Sequence, residues 1–590
     1  MRRTFKACAV GLAAAMAAGI LAACSDPLRE GKTIVTFWGW ADDEEAEIVS
    51  QQIEWYNENN SDNIYVDYVP RPGDYVASIN STLGLDNVAG PDVFYASDED
   101  FKRWVKRGFM EDLQPYVDEA QIDLDAMWDS AVYRYRYNPD TNTNNPEDHL
   151  YALPKDISPT GLFYNKSAFE RHGIKVISVD EEDLDEFNAG TAADRSGKYK
   201  SDYGIPEDFE VPAKGFYRRT PYRGGQWPKA QYADGVLNEL MIFNNRIAMS
   251  WDEVEDLAMM FTKNDSYNAA NLGKEDPSWG YLTHWWFAYG WSVGGDCAVD
   301  VTGQGDWEFT LGDETEHYLV YDEDGSYAVG SDYKALFVTE KDGKYYLSNG
   351  TEYQLTEGQT LSEAMPSQRE AFERFVALTV PTEKGGLDIS PSPSDVGTLE
   401  RLSFFTNGQV AMIVEQNYRI NGMRKAIGDR FEWDVAPLPV YKEYVSSNSD
   451  EVRVEGVPAG HSGSTGFCVW SKSKVKAEAF KVVEYLTGET AQRMMANGGY
   501  NICIQRDLAM TEYVQANVSD GKSPQNISVF VEYGDIQRPG DWWYMPDKTW
   551  IEVWAPTLNS TVKNGEMTIA EFFSEYTGLA NEALRAYKAS

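Results

Sequence analysis

The spacing of hydrophobic and polar residues changes several times along this chain, and each change marks an element. Residues 33–38, Thr-Ile-Val-Thr-Phe-Trp, form a short and nearly continuous apolar run, the pattern of a buried strand. Residues 39–42 turn the chain, and Asp42 or Asp43 stands where a helix needs an N-cap. Ala46, Val49, Ile53 and Tyr56 then lay one apolar face along a helix. Residues 64–69 read as a second strand and 75–85 as a helix. Residues 91–96 read as a third strand that opens onto Ser97 and Asp98. This β-α-β-α-β alternation predicts a parallel sheet with helices on both faces, and such sheets bind ligands beyond the carboxyl ends of their strands. Trp40, Asp42, Tyr95 and Asp98 fall just past such ends.

Further along, 466–470 is again strand-like. Ser473 is placed to cap a helix with Val475, Ala479, Phe480, Val483 and Leu486 inward, and Gly488 stops it. Two stretches break this α/β texture. Between 297 and 361, Asp324-Gly325 and Asp342-Gly343 each separate strand-like runs, which predicts a small antiparallel insert of hairpins. Residues 179–223 are polar, acidic and Gly-rich, the pattern of long loops or a second insertion. The inserts are bounded at about 297–361 and 176–240.

The first residues carry an address. Arg2, Arg3 and Lys6 precede a short Ala-rich apolar stretch, the layout of a secretory leader and too short for an ordinary membrane span. The ending Leu21-Ala22-Ala23-Cys24 resembles the lipobox of bacterial lipoproteins. There the leader, here 1–23, is cut before the cysteine, and the thiol carries a lipid with acyl chains such as palmitate. Residues 24–32 then form a tether. Removing the leader takes away three positive charges and no acids, so the net charge of −42 becomes about −45. Such a surface repels phosphate backbones and anionic lipid, which argues against nucleic acid and against charge-driven membrane adhesion.

Beyond Cys24 the remaining cysteines are Cys297, Cys468 and Cys503, an odd number that makes no disulfide framework. The five histidines show no His-x-x-His spacing and there is no Cys-x-x-Cys, so no metal and no cofactor are expected. Asp140-x-Asn142-x-Asn144 has the start of a calcium loop but lacks its Gly and its final Glu. The 18 Trp and 36 Tyr often stand together beside Asp, Gly or Pro instead of inside apolar runs. Examples are Trp38/Trp40, Trp285/Trp286 and Trp542/Trp543, with Trp550 close behind. Flat rings next to carboxylates suit sugars, whose C–H faces stack and whose hydroxyls donate. Core packing remains the other reading of each ring, at Trp38 and Trp554 above all.

Several blocks, in order, resemble the extracellular solute-binding proteins of ABC importers, in the carbohydrate-binding group. They are 90–98 (Gly-Pro-Asp-Val-Phe-Tyr-Ala-Ser-Asp) with 108–116, 151–166, 250–253, 408–418 and 433–439. The resemblance implies a two-lobed α/β clamp of the periplasmic-binding-protein type II, with three crossings near 155–159, 461–466 and 534–538. The first lobe would hold 33–157 and 465–535, the second 158–464 and 536–590 with both inserts. It implies a lipid-anchored receptor on the outer face of the cell membrane, with no catalytic residues, acting as a monomer. Such a receptor would bind an oligosaccharide and pass it to the permease subunits of an ABC transporter. Carried over by position, the ligand-binding residues would be Tyr95, Trp285, Trp286, Tyr418, Trp542, Trp543 and Trp550, with Trp38, Trp40 and Asp42 from the first strand end. Asp98 and Asp156 would accept hydroxyls, although Asp98 also stands where a helix N-cap would. The composition leaves two other readings open: a surface glycan-processing enzyme, and a binder of a peptide or polyamine.

Overall fold

The computed structural model describes residues 28–40, 43–71, 73–85, 89–219, 232–233, 236–237, 239–263, 272–396, 400–446, 449 and 451–589. The leader, Cys24 and Asp42 lie outside the described residues. Strand β1 (Thr33–Trp40) buries Val35 and Phe37 and pairs in parallel with β2 (Ile64–Arg71) and β3 (Val93–Ser97). Helix α1 (Asp43–Asn59) buries Glu45, Val49, Gln52, Ile53 and Tyr56, a helical spacing that seats one face on the sheet. The Asn57 carboxamide clamps its end by bonding both main-chain groups of Val66, at 2.7 and 3.0 Å. Helix α2 (Tyr75–Leu83) is capped by Asp74, which accepts from the Ala77 N–H at 2.9 Å.

The first sheet runs β2-β1-β3, then the antiparallel strand Thr465–Val469, then β4 (Leu153–Pro154). From β4 the chain enters β5 (Asp156–Tyr164), nine residues that are all buried. The start of β5 pairs with Ile502–Cys503 and then with Ser462–Gly463, and its far end lies between Val410–Gln416 and Asp434–Ala436. Trp279–Leu282 completes the second sheet, parallel to Val410–Gln416. β5 therefore leaves the first lobe and becomes the central strand of the second. Gly161 is required there, because a Cβ would sit 2.7 Å from Phe530 and 2.9 Å from Val435.

Two further connections cross beside β5, at Ser462–Thr465 and at Arg538. Arg538 pairs in parallel with His461, its N–H donating to the Gly460 carbonyl at 2.9 Å. Residues 523–533, expected in the first lobe, bond to the second. Asp434 Oδ1 accepts from the N–H groups of Gln525 and Asn526, and the Asn526 amide donates to the Asn245 carbonyl at 2.6 Å.

The stretch 297–361 is the expected hairpin insert. Its five antiparallel strands run in the order Glu352–Tyr353, Lys344–Tyr346, Phe337–Lys341, Tyr318–Tyr321, Thr360–Leu361, around Val320, Ala328 and Val338. The other insert is no mere loop. Ile174–Ile177, Met241–Asn244 and Phe216–Arg218 form a sheet over a small core that includes Val179, Leu184 and Phe187. Among the described residues no helix is long and apolar enough to cross a membrane.

Candidate functional site

Asp98 follows β3 where the first lobe meets the second, and it is 7 % exposed. It is not a helix cap: the helix Phe101–Lys106 begins after Asp100. Its carboxylate faces three elements instead. Trp542 Nε1 donates to Oδ1 at 3.4 Å, while Oδ2 lies 3.6 Å from Arg134 Nη1 and 3.9 Å from His461 Nε2. Arg134 ends the helix Asp129–Arg134 and is wholly buried, donating from Nη1 to the Ser462 carbonyl at 2.7 Å. His461 is fixed from behind by the Gln416 amide, 3.3 Å from Nδ1.

Indoles close around this trio. Trp285 touches two imidazoles, with His461 stacked at 4.7 Å and 26° and His284 tilted against it at 3.9 Å. Trp542 meets His461, Phe287 and Trp285 at steep or tilted angles, so none of these rings lies flat on its face. Asp98 Oδ2, Arg134 Nε and Nη2, His461 Nε2 and Trp285 Nε1 are all buried without a hydrogen-bond partner. Buried polar atoms are nearly always satisfied, and a concentration of exceptions marks a place built to receive polar groups. Burial alone would raise the Asp98 pKa, but His461, the Arg134 guanidinium and Trp542 outweigh it and hold the carboxyl below its usual value. Burial likewise lowers the His461 pKa, with Asp98 opposing and Arg134 reinforcing.

A second cluster lies at the first-lobe strand ends. Trp40 and Tyr95 meet at 5.1 Å, and the Lys155 ammonium stands 5.0 Å from the Tyr95 ring. The Tyr95 hydroxyl is buried without a partner. Lys155 also bonds Glu45 at 2.6 Å and Asp156 at 2.9 Å. Asp156, expected to take ligand hydroxyls, is instead fully engaged in holding the crossing. Oδ1 accepts from the Thr465 N–H at 3.2 Å, and Oδ2 takes Lys155 and the Asn501 amide.

The other expected residues divide in the same way. Trp286 joins the site through Asp541, to which its Nε1 donates at 3.0 Å. Trp38 is buried, its ring face covered by the Arg71 guanidinium at 3.5 Å. Trp543 is buried with Lys102 over its ring at 4.1 Å. Trp550 is a core residue, 0 % exposed and packed on Phe309 and Trp554, so no ligand reaches it. Tyr418 stands apart, on a hollow of about 450 Å³ that it shares with Arg419 and Tyr500. Of the Asp140-x-Asn142-x-Asn144 stretch, Asn142 Oδ1 accepts from the Tyr137 hydroxyl and the Asn144 amide donates to the Arg136 carbonyl. Arg134, His461 and Asp541 were not anticipated from the sequence.

Two lobes joined by three crossings, with a polar and aromatic site between them, make a two-lobed α/β clamp. Residues 41–288 match the family of bacterial extracellular solute-binding proteins. No curated protein sequence matches the chain significantly. Among solved structures, the fold is similar to the ABC substrate-binding protein of Listeria monocytogenes in complex with cycloalternan. That pair shares 14 % identity and a TM-score of 0.54, over 94 % of this chain and 99 % of the other. It is also similar to the GacH receptor of Streptomyces glaucescens, solved unliganded and with acarbose, at 15 % identity and TM-score 0.51 over 95 % and 100 %. A sugar transporter from Rhizobium etli in an open conformation matches at 14 % identity and TM-score 0.53 over 93 % and 99 %.

Proposed function

We infer that this protein binds a carbohydrate, an oligosaccharide, between its lobes and delivers it to the permease of an ABC importer from a lipid anchor on Cys24. The observation that carries this reading is the junction itself. The Asp98 carboxylate and the Arg134 guanidinium from the first lobe and the His461 imidazole from a crossing converge with unpartnered atoms beside the tilted indole of Trp542. Hydroxyls of a sugar can donate to Asp98 and accept from Arg134, while a C–H face packs on Trp542. Closure would be a hinge motion favoured only by the contacts that the closed form adds. The sugar-bound relatives in the same fold support the class of ligand.

Calorimetry of the purified protein against a panel of neutral oligosaccharides tests the reading. At least one sugar is expected to bind without being consumed, and Asp98→Asn and Trp542→Ala should each weaken it about tenfold or more. Release of sugar products, or binding of none of the panel, would overturn it.

A further inference from the structure

Beside the cleft lies a chamber of about 820 Å³ that the hairpin insert roofs and that nothing above puts to use. Its first-lobe wall carries Tyr133 and Asn144, its insert wall Trp307 and Tyr346, and its floor Trp291 and Arg538. Tyr133 also meets Tyr333 of the insert edge-on, with ring centres 5.6 Å apart, and with first-lobe and insert residues in its lining the chamber lies between the two lobes.

Three pieces of backbone furnish both spaces. Arg134 lies against Asp98, and its neighbour Tyr133 lines the chamber. Trp542 donates to Asp98, while Trp543 borders the chamber. His461 and Arg538 are register partners in adjacent crossings, and His461 reaches Asp98 while Arg538 reaches Trp291. Between the two spaces Phe287 links the rings, stacked on Trp291 at 4.2 Å and 22° and edge-on to Trp542 at 5.9 Å.

The lining says what the chamber takes. Arg538 lies 4.2 Å over Trp291, donates to Asp296 and to the Tyr544 hydroxyl, and keeps Nε buried without a partner. Lys334 stands between Asp296 at 3.6 Å and Asp332 at 3.3 Å. Lys341 is a third cation of the lining, but the carboxylates of Asp296, Asp300, Glu308, Asp313, Asp332 and Asp342 outnumber the three cations, which disfavours an anionic ligand. What remains is a half-buried indole, Trp307, with an unpartnered Nε1, together with a carboxamide and carboxylate rims. Aromatic faces among short polar side chains suit neutral, hydroxyl-rich units.

We propose that the insert chamber is an extension of the binding site that holds the distal units of a neutral oligosaccharide whose first units lie at Asp98 and His461. The proposal rests on the reading of the cleft as a sugar site, and it adds a requirement for chain length.

A ladder of linear neutral oligosaccharides from one unit upward, in α- and β-linked gluco-, galacto-, manno- and xylo-series, separates the two claims. For the series that binds, affinity should rise with length. Trp307→Ala should then lower affinity for the longest chain about fivefold to tenfold and leave the shortest bound ligand unchanged, with Trp307→Phe restoring part of the loss. Tyr346→Ala should behave in the same way. If sugars bind with no gain on lengthening, or if both alanine variants weaken short and long chains alike, the chamber claim falls while the cleft reading stands. If no sugar in any series binds, the cleft reading falls and takes the chamber with it.

Discussion

Asp541 shows how one residue can report on its surroundings. It is fully buried at the edge of the site, and burial, with Asp296 adding, raises its carboxyl from 3.8 to about 7. A group whose folded pKa is raised adds stability that is complete below its unfolded value and is lost as pH rises through the folded one. Asp541→Asn should therefore grow more stable relative to the wild type between about pH 4 and pH 7 and level off above. Each unit of that window is worth about 1.4 kcal/mol. Urea denaturation of both proteins across that range measures it, and a difference that stays flat with pH would remove the neutral acid from the account. Asp98 was legible in the sequence because the strand before it is apolar and its position past the strand end is local information. Arg134 and His461 were not, since nothing near a lone Arg on a short helix announces burial against a carboxylate 36 or 363 residues away. Asp156 misled for the same reason: its partners Thr465 and Asn501 come from the far end of the chain.

Elements followed local chemistry where turns dictated them. At Asp342-Gly343 both residues take positive φ, 53° and 73°, the two-residue turn that twists with its strands, and a true hairpin results. At Asp324-Gly325 only the glycine does so, and the flanks join through isolated bridges such as Tyr321 with Tyr327. The acidic stretch after 176 hid a packed core because its apolar residues, Val179, Leu184, Phe187 and Ile205, are too widely spaced to form a periodic run. β5 is where an element's fate is most exposed to a single atom. Gly161→Ala, pressed between Phe530 and Val435, should cost about 1–3 kcal/mol and lower the melting temperature. An unchanged melting temperature would mean that the crossing is looser than its packing indicates.

At the scale of the molecule, the order of the blocks pointed to two lobes, but their assembly was beyond the sequence. The cleft is made of residues from 98 to 542, and only the fold makes them neighbours. The anchor proposed at Cys24 belongs to this scale as well, since it would set where the clamp waits while the strong negative charge disfavours adhesion to anionic lipid. Cys24→Ser should shift the protein from the membrane fraction to the medium on cell fractionation; retention by the membrane would break the link to lipid. Cys297, Cys468 and Cys503 are free and buried, and burial raises the pKa of each thiol. Cys468 lies in the first sheet, Cys297 next to Asp296 in the second lobe, and Cys503 on the short strand that pairs with the start of the crossing strand β5, opposite Asp156. A thiol so placed reacts only when its own surroundings open. The chain therefore carries three built-in clocks, one for each lobe and one for the hinge, and the order in which they are labelled ranks the stability of the parts without any engineered probe.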